Sequence, residues 1–201
     1  MERNTQSEML KIAIIRPGTT DYDVQERIQG TLDIPLNEQG LAQAAQAAGD
    51  LRDKGLEVIY APPSEPAFRT AEIISEALDI KMRRLVNMQS LNQGLWQGML
   101  IKDVRRKHPK VYRQWQEQPE NVCPPEGEML SAADQRVRAA MMKLLKRHKD
   151  GMIGICVPEP LLSLVRRFIV HGELGDLWKP ANGHSRVEFL DVEPEAALVR
   201  Q

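Results

Sequence analysis

Leu10-Lys11-Ile12-Ala13-Ile14-Ile15-Arg16-Pro17-Gly18-Thr19-Thr20, continued by Asp21 to Gly30, is the stretch whose reading decides the fold. Ile12 to Ile15 is a short apolar run rich in β-branched side chains. It stops at Arg16-Pro17-Gly18, as a buried central strand of an α/β sheet does when it hands over to a loop. Ligands of open α/β sheets bind at the carboxyl ends of the strands, so this loop is the expected site. Its arginine, glycine and two threonines offer a fixed cation, hydroxyls and backbone N–H groups, the donor set of an anion site, with phosphate the first candidate.

Working outward, Leu32 to Leu36 is an extended lead-in, and Asn37 is placed to N-cap a helix running to about Lys54, with Gly55 just past its end. Leu41, Ala45, Ala48 and Leu51 mark its apolar face. A strand over Glu57 to Tyr60, a helix over Ala67 to Leu78 and a third strand over Met82 to Met88 continue the rhythm. Ile101 to Gln118 is charged and helical in pattern, broken at Pro109, and Pro119 to Glu128 is proline-rich. Ser131, with Asp134 three residues on, starts a helix to about His148; Met152 to Val157 is a strand, Leu161 to Val170 a helix and Arg186 to Val192 a last strand. This β-α-β-α order predicts a three-layer α/β/α sandwich around a mainly parallel sheet. The expected organisation is a polar lead over 1–9, a single domain over 10–192 in which about 99–130 is an insertion over the site, and a tail over 193–201.

The chain has 201 residues, 42% of them hydrophobic and 27% charged, enough for one sizeable core and unlike a disordered or fibrous composition. A net charge of -1 argues against a nucleic-acid binder working by general electrostatics. No apolar run approaches the roughly 20 residues of a membrane helix, and Met1 to Glu8 is polar, so a cytoplasmic protein away from membranes is expected. Cys123 and Cys156 lack metal-ligand spacing and read as reduced thiols; His108, His148, His171 and His184 fall at helix ends or in a late turn, so no metal is expected. Trp96, Trp115 and Trp178 read as core or interface anchors. The basic run Lys102, Arg105, Arg106, Lys107, Lys110 and Arg113 reads first as a solvated helix face, and otherwise as a surface for an acidic partner.

Arg16-Pro17-Gly18-Thr19-Thr20, Asp23 and Arg27-Ile28-Gln29-Gly30 resemble the signature of the histidine phosphatase superfamily, phosphoglycerate mutase-like: Arg-His-Gly-x-Thr, an Asn, and Arg-x-Gln-Gly. The resemblance continues in order through Leu36-Asn37-Glu38-Gln39-Gly40-Leu41, Arg69-Thr70-Ala71-Glu72, Gly94-Leu95-Trp96-Gln97-Gly98, Pro124-Pro125-Glu126-Gly127-Glu128 and Asn182-Gly183. It implies a phosphoglycerate mutase-like fold over about 10 to 192. It also implies a pocket built on Arg16, Gly18, Thr19, Asp23 and Arg27, where a histidine after the first strand takes up the phosphoryl group. Two arginines and a second histidine then hold the phosphate while a carboxylate protonates the leaving group.

Set against those roles, the sequence departs at several positions at once. Pro17 stands where the resemblance places the nucleophile, and Pro66 where it places the second arginine. Ser90 aligns with the general acid and Pro158 with the second histidine, Glu159 following it. A proline has no nucleophile and no N–H. Losing a covalent nucleophile from a site that acts as a unit costs about 10⁴ to 10⁶ in turnover. Arg16 is left either as a phosphate ligand or in an ion pair with Asp23 or Glu159, and a pocket that keeps Arg16 but gains two carboxylates disfavours a dianion. Arg69, three residues after Pro66, shares its helical face and is a candidate replacement for the lost arginine. His171-Gly172-Glu173 imitates a family motif but follows a helix and reads as a decoy. The expectation is a catalytically inactive relative that binds a protein partner, a second copy of itself or a small ligand, with no cofactor. The alternatives are a weak or altered phosphatase, or a phosphate-binding protein, using Arg16 and Arg69, and a purely structural subunit. Arg16, Pro17 and Pro158 must meet at the carboxyl ends of adjacent strands if this alignment is right.

Overall fold

The structure is a computed structural model that describes residues 9–171, 174, 177–178 and 186–192. The expected late turn at Asn182-Gly183, the histidine His184, Gly172 and Glu173 of the decoy, and the expected terminal segments apart from Met9 lie outside the described residues. Strands β1 (Leu10–Ile15), β2 (Leu56–Ala61), β3 (Lys81–Arg84) and β4 (Met152–Cys156) are parallel, and β5 (Val187–Val192) pairs antiparallel with β1. The order is β3-β2-β4-β1-β5, so β4 is the middle strand, flanked by β2 and β1.

Alternation along β1 builds both sides of the sandwich. Ile12 and Ile14 enter one core with Tyr60, Ile155, Val137 and Phe168, and Ala13 and Ile15 enter the other with Ala47, Ile59 and Ile74. Helices α2 (Glu38–Leu51) and α3 (Ala67–Leu78) therefore cover one face, and α6 (Leu130–Arg147) and α7 (Leu161–Val170) the other. A short α1 (Asp21–Val24) follows the first loop, and α4 (Ile101–Lys107) and α5 (Pro109–Glu117) fill the charged segment, Pro109 opening α5 as a first-turn proline rather than breaking a helix. Trp115 of α5 is fully buried beside Trp96. Among the described residues no helix is long and apolar enough to cross a membrane.

Three local expectations are corrected. Helix α2 ends at Leu51 rather than about Lys54, and its buried face is Gly40, Ala44, Ala47, Ala48 and Leu51, with Leu41 and Ala45 outside. The cause is Gly40: it and Gly18 approach so closely that a Cβ on either would run into the other segment's backbone, which docks the start of α2 on the first loop. Helix α6 starts at Leu130 on Met129, with no side-chain cap from Ser131. Asp134 instead forms ion pairs with Arg138, Nε to Oδ2 at 2.7 Å, and with Arg167, Nη2 to Oδ1 at 3.0 Å. β3 stops at Arg84, a short charged edge strand as sheet edges tend to be.

Candidate functional site

Ile15 pairs with Cys156 in the β1–β4 register, so the loops that leave these strands lie side by side and Arg16 and Pro17 meet Pro158 at the carboxyl ends, as the alignment requires. They line a cavity of about 800 Å³ together with Pro66, Ser90 and Glu159. Gly18, Thr19, Asp23 and Arg27 of the first motif line it too. Arg69 does not: it sits on α3 paired with Glu72, one turn along, so the candidate replacement for the lost arginine is not part of the lining. Turning Arg69 inward would strip it of Glu72 and bury its long side chain, which an i,i+3 pair at the surface avoids.

The loop's backbone donors are all committed. The Arg16 N–H bonds to Arg186 O at 2.8 Å, the Gly18 N–H to Thr70 Oγ1 at 3.0 Å, the Thr19 N–H to Gln43 Oε1 at 3.0 Å and the Thr20 N–H to Asp23 Oδ2 at 2.7 Å. Pro17 has none to give. The curl of N–H groups that would hold an anion is thus turned into the protein's own hydrogen bonds. Asp23 is the capping partner of Thr20, whose hydroxyl donates to the same carboxylate at 2.8 Å; it lines the cavity but does not pair with Arg16.

Arg16 pairs instead with Glu159, Nη2 to Oε1 at 3.0 Å, each side chain about a quarter exposed. The other oxygen of Glu159 accepts from the Ser163 N–H at 3.1 Å and the Ser163 hydroxyl at 2.8 Å, in the first turn of α7. One carboxylate therefore takes both resources that would serve an incoming anion, the guanidinium and a helix N-terminus.

Arg186 is the site residue that sequence reasoning missed. It precedes β5, donates to Pro17 O through Nη1 and to Thr19 Oγ1 through Nη2 at 2.8 Å, and lines the cavity next to Arg16. Burial and the neighbouring Arg16 charge push its pKa down, opposed by Asp23. It was invisible because only the antiparallel pairing of β5 with β1 carries residue 186 back to the first loop, and an arginine at a strand start bears no motif. Arg186, Arg27, Lys102 and Arg105 join Arg16 in the lining against Asp23, Glu26 and Glu159, so the cavity carries more cations than the expected lone Arg16. Lys102 and Arg105 belong to the basic run but sit on the exposed rim, with Tyr112 and Trp178 beside them in the same wall.

Among the described residues no nucleophile with a base beside it stands in this wall. Burial pushes the Cys156 thiol far up, so it holds its proton. Ser90 bonds to the Glu159 carbonyl at 3.4 Å, and Thr19 accepts from Arg186. Among the described residues no group of three or more potential ligands could hold a metal. His108, His148 and His171 lie at helix ends as expected, away from the cavity; His148 bonds to the buried Tyr60 hydroxyl at 2.8 Å.

The sequence profile of the histidine phosphatase superfamily (branch 1) matches residues 12–200. This chain belongs to that family. It is 33% identical over 147 residues to phosphoserine phosphatase 1 of Hydrogenobacter thermophilus, covering 73% of this chain and 70% of that protein. Among solved structures it resembles mycobacterial hydrolase 1, with a TM-score of 0.78, 23% identity and 90% of each chain covered. It also resembles a mycobacterial glucosyl-3-phosphoglycerate phosphatase solved with VO3, with a TM-score of 0.76, 22% identity, and 91% of this chain and 98% of that one covered. These likenesses establish the phosphoglycerate mutase-like fold.

Proposed function

We propose that this chain is a catalytically inactive histidine phosphatase-like protein whose work is binding. The observation that carries this is Glu159, a carboxylate of the protein itself, holding Arg16 and the first turn of α7 where a phosphoryl group would need both. Three further features support it. Pro17 supplies no imidazole at the end of β1, the N–H groups around it are spent on internal partners, and among the described residues the cavity's hydroxyls have no base beside them. Phosphoryl transfer needs an activated nucleophile and preorganised donors for the equatorial oxygens, and neither set is complete.

Calorimetric titration of the purified protein with inorganic phosphate and orthovanadate, run beside turnover of an aryl phosphate, tests this. Neither saturable heat nor turnover above a heat-killed control is the expected result; turnover would overturn it. Pro17→His alone is expected to remain inactive, because Pro66 and Pro158 still leave the phosphoryl group unsupported and Glu159 still holds Arg16. Activity in that single variant would show that the losses are not collective.

A further inference from the structure

The cavity that phosphate chemistry has left is not a featureless one. With Arg16 paired to Glu159, Arg186 is a partly buried guanidinium of the cavity lining that among the described residues has no carboxylate within ion-pair distance. Two of its five N–H groups go to Pro17 O and Thr19 Oγ1, leaving others for a ligand. The remaining N–H groups of this fork can take the oxygens of a carboxylate. The same lining includes Gln93, only 3% exposed, whose Oε1 has no hydrogen-bond partner among the described residues. A buried amide oxygen without a donor costs free energy, and a ligand hydroxyl would remove that cost. Gln43 spends its Oε1 on Thr19 and keeps its amide NH₂, so the same wall also offers a donor to hydroxyl oxygens. Tyr112 and Trp178 add the flat apolar surface on which a ring can rest. A volume of about 800 Å³ fits a small organic molecule.

Resting on the binding role proposed above, we infer that the cavity binds a small polyhydroxylated monocarboxylate of the sugar-acid class. Its carboxylate lies on Arg186, a hydroxyl donates to Gln93 Oε1, and its ring or chain lies against Tyr112 and Trp178. The ligand is recognised through one negative charge and several hydroxyls, so a neutral sugar lacks the anchor and inorganic phosphate lacks the rest.

The test is calorimetric titration of the full chain with D-gluconate, D-glucuronate and D-quinate, against D-glucose and inorganic phosphate. At least one acid is expected to bind below about 1 mM, and glucose at least about tenfold more weakly, the usual worth of one charged hydrogen bond. Arg186→Gln is expected to weaken the acid about tenfold or more and Gln93→Leu several-fold. Arg186→Lys, which keeps the charge without the fork, serves if Arg186→Gln melts early. No saturation by any of the three acids up to about 10 mM overturns the inference. So does affinity unchanged in an arginine variant that melts like the parent. Turnover of an aryl phosphate would sink the inactive reading and leave sugar-acid binding standing; silence from all three acids with no turnover would sink this inference alone.

Discussion

After β2 and after β4 the chain makes the same move: Pro62-Pro63-Ser64-Glu65-Pro66 leads into α3, and Pro158-Glu159-Pro160 leads into α7. Each loop thus presents a glutamate immediately before a helix at the carboxyl end of a central strand. Their fates differ. Glu159 meets Arg16 and the first turn of its own helix. Glu65 has a buried Oε2 with no hydrogen-bond partner among the described residues, while its backbone N–H bonds to Asp33 Oδ1. Burial first, and then the Asp33 charge, push the Glu65 pKa up, with Arg69 opposing and Glu72 adding to the rise. The same residue type in the same local setting is a lock in one loop and a liability in the other. What decides is whether a cation from another element reaches it. Arg16 reaches Glu159 because β1 neighbours β4; Arg69, the cation whose charge acts on Glu65, is paired with Glu72.

The largest expected effect comes from breaking the lock. Glu159→Ala leaves the Arg16 charge half-buried without its anion and strips the Ser163 N–H and hydroxyl of their acceptor. A loss of about 2 kcal/mol is expected, reduced from a fully buried pair because both side chains are about a quarter exposed. Glu159→Gln keeps an acceptor for Ser163 and should lose about half of that. Urea unfolding of both variants, closed into a double-mutant cycle with Arg16→Gln, measures the pair itself. A coupling near zero would mean that Glu159 acts only as a cap for α7.

That contrast also shows where sequence stops being legible. The strand–loop–helix order, the meeting of Arg16, Pro17 and Pro158, and the charge partner of Arg16 as one of two named carboxylates were all readable. The element order follows from hydrophobic periodicity and turn residues, and the other two from the resemblance to the family's motifs. Arg186 and the orientation of Arg69 were not. Helical spacing puts Arg69 on the same face as Pro66 but says nothing about whether Glu72 will capture its guanidinium. Residue 186 reaches the first loop only through strand pairing at a separation no local pattern encodes. The α2 face slipped because a glycine contact, Gly18 against Gly40, outweighed the apolar pattern.

A smaller effect sharpens the comparison by removing an overlapping titration. Burial pushes the His148 pKa below its ordinary 6.5, helped by Arg147 and Arg83 and opposed by Glu57 and Asp150. A depressed histidine binds fewer protons folded than unfolded, so stability falls as pH drops below 6.5 toward its folded pKa. His148→Gln is expected to flatten that slope, while losing at most about 1 kcal/mol from the Tyr60 hydrogen bond. An unchanged pH profile in chemical denaturation would mean that His148 is as protonated in the folded chain as in the unfolded one.

In the His148→Gln background the Glu65 liability can be read directly. A carboxyl whose pKa is raised binds more protons folded than unfolded, so it costs stability as pH rises from its ordinary 4.5 through the folded value. Glu65→Gln removes that slope. The variant is expected to be slightly more stable than its parent at pH 7, with the difference closing as pH falls below 4.5, the opposite sign to Glu159→Gln at the equivalent place in the other loop. If both glutamines destabilise at pH 7, Glu65 has found a cation in solution, and the two loops are alike after all.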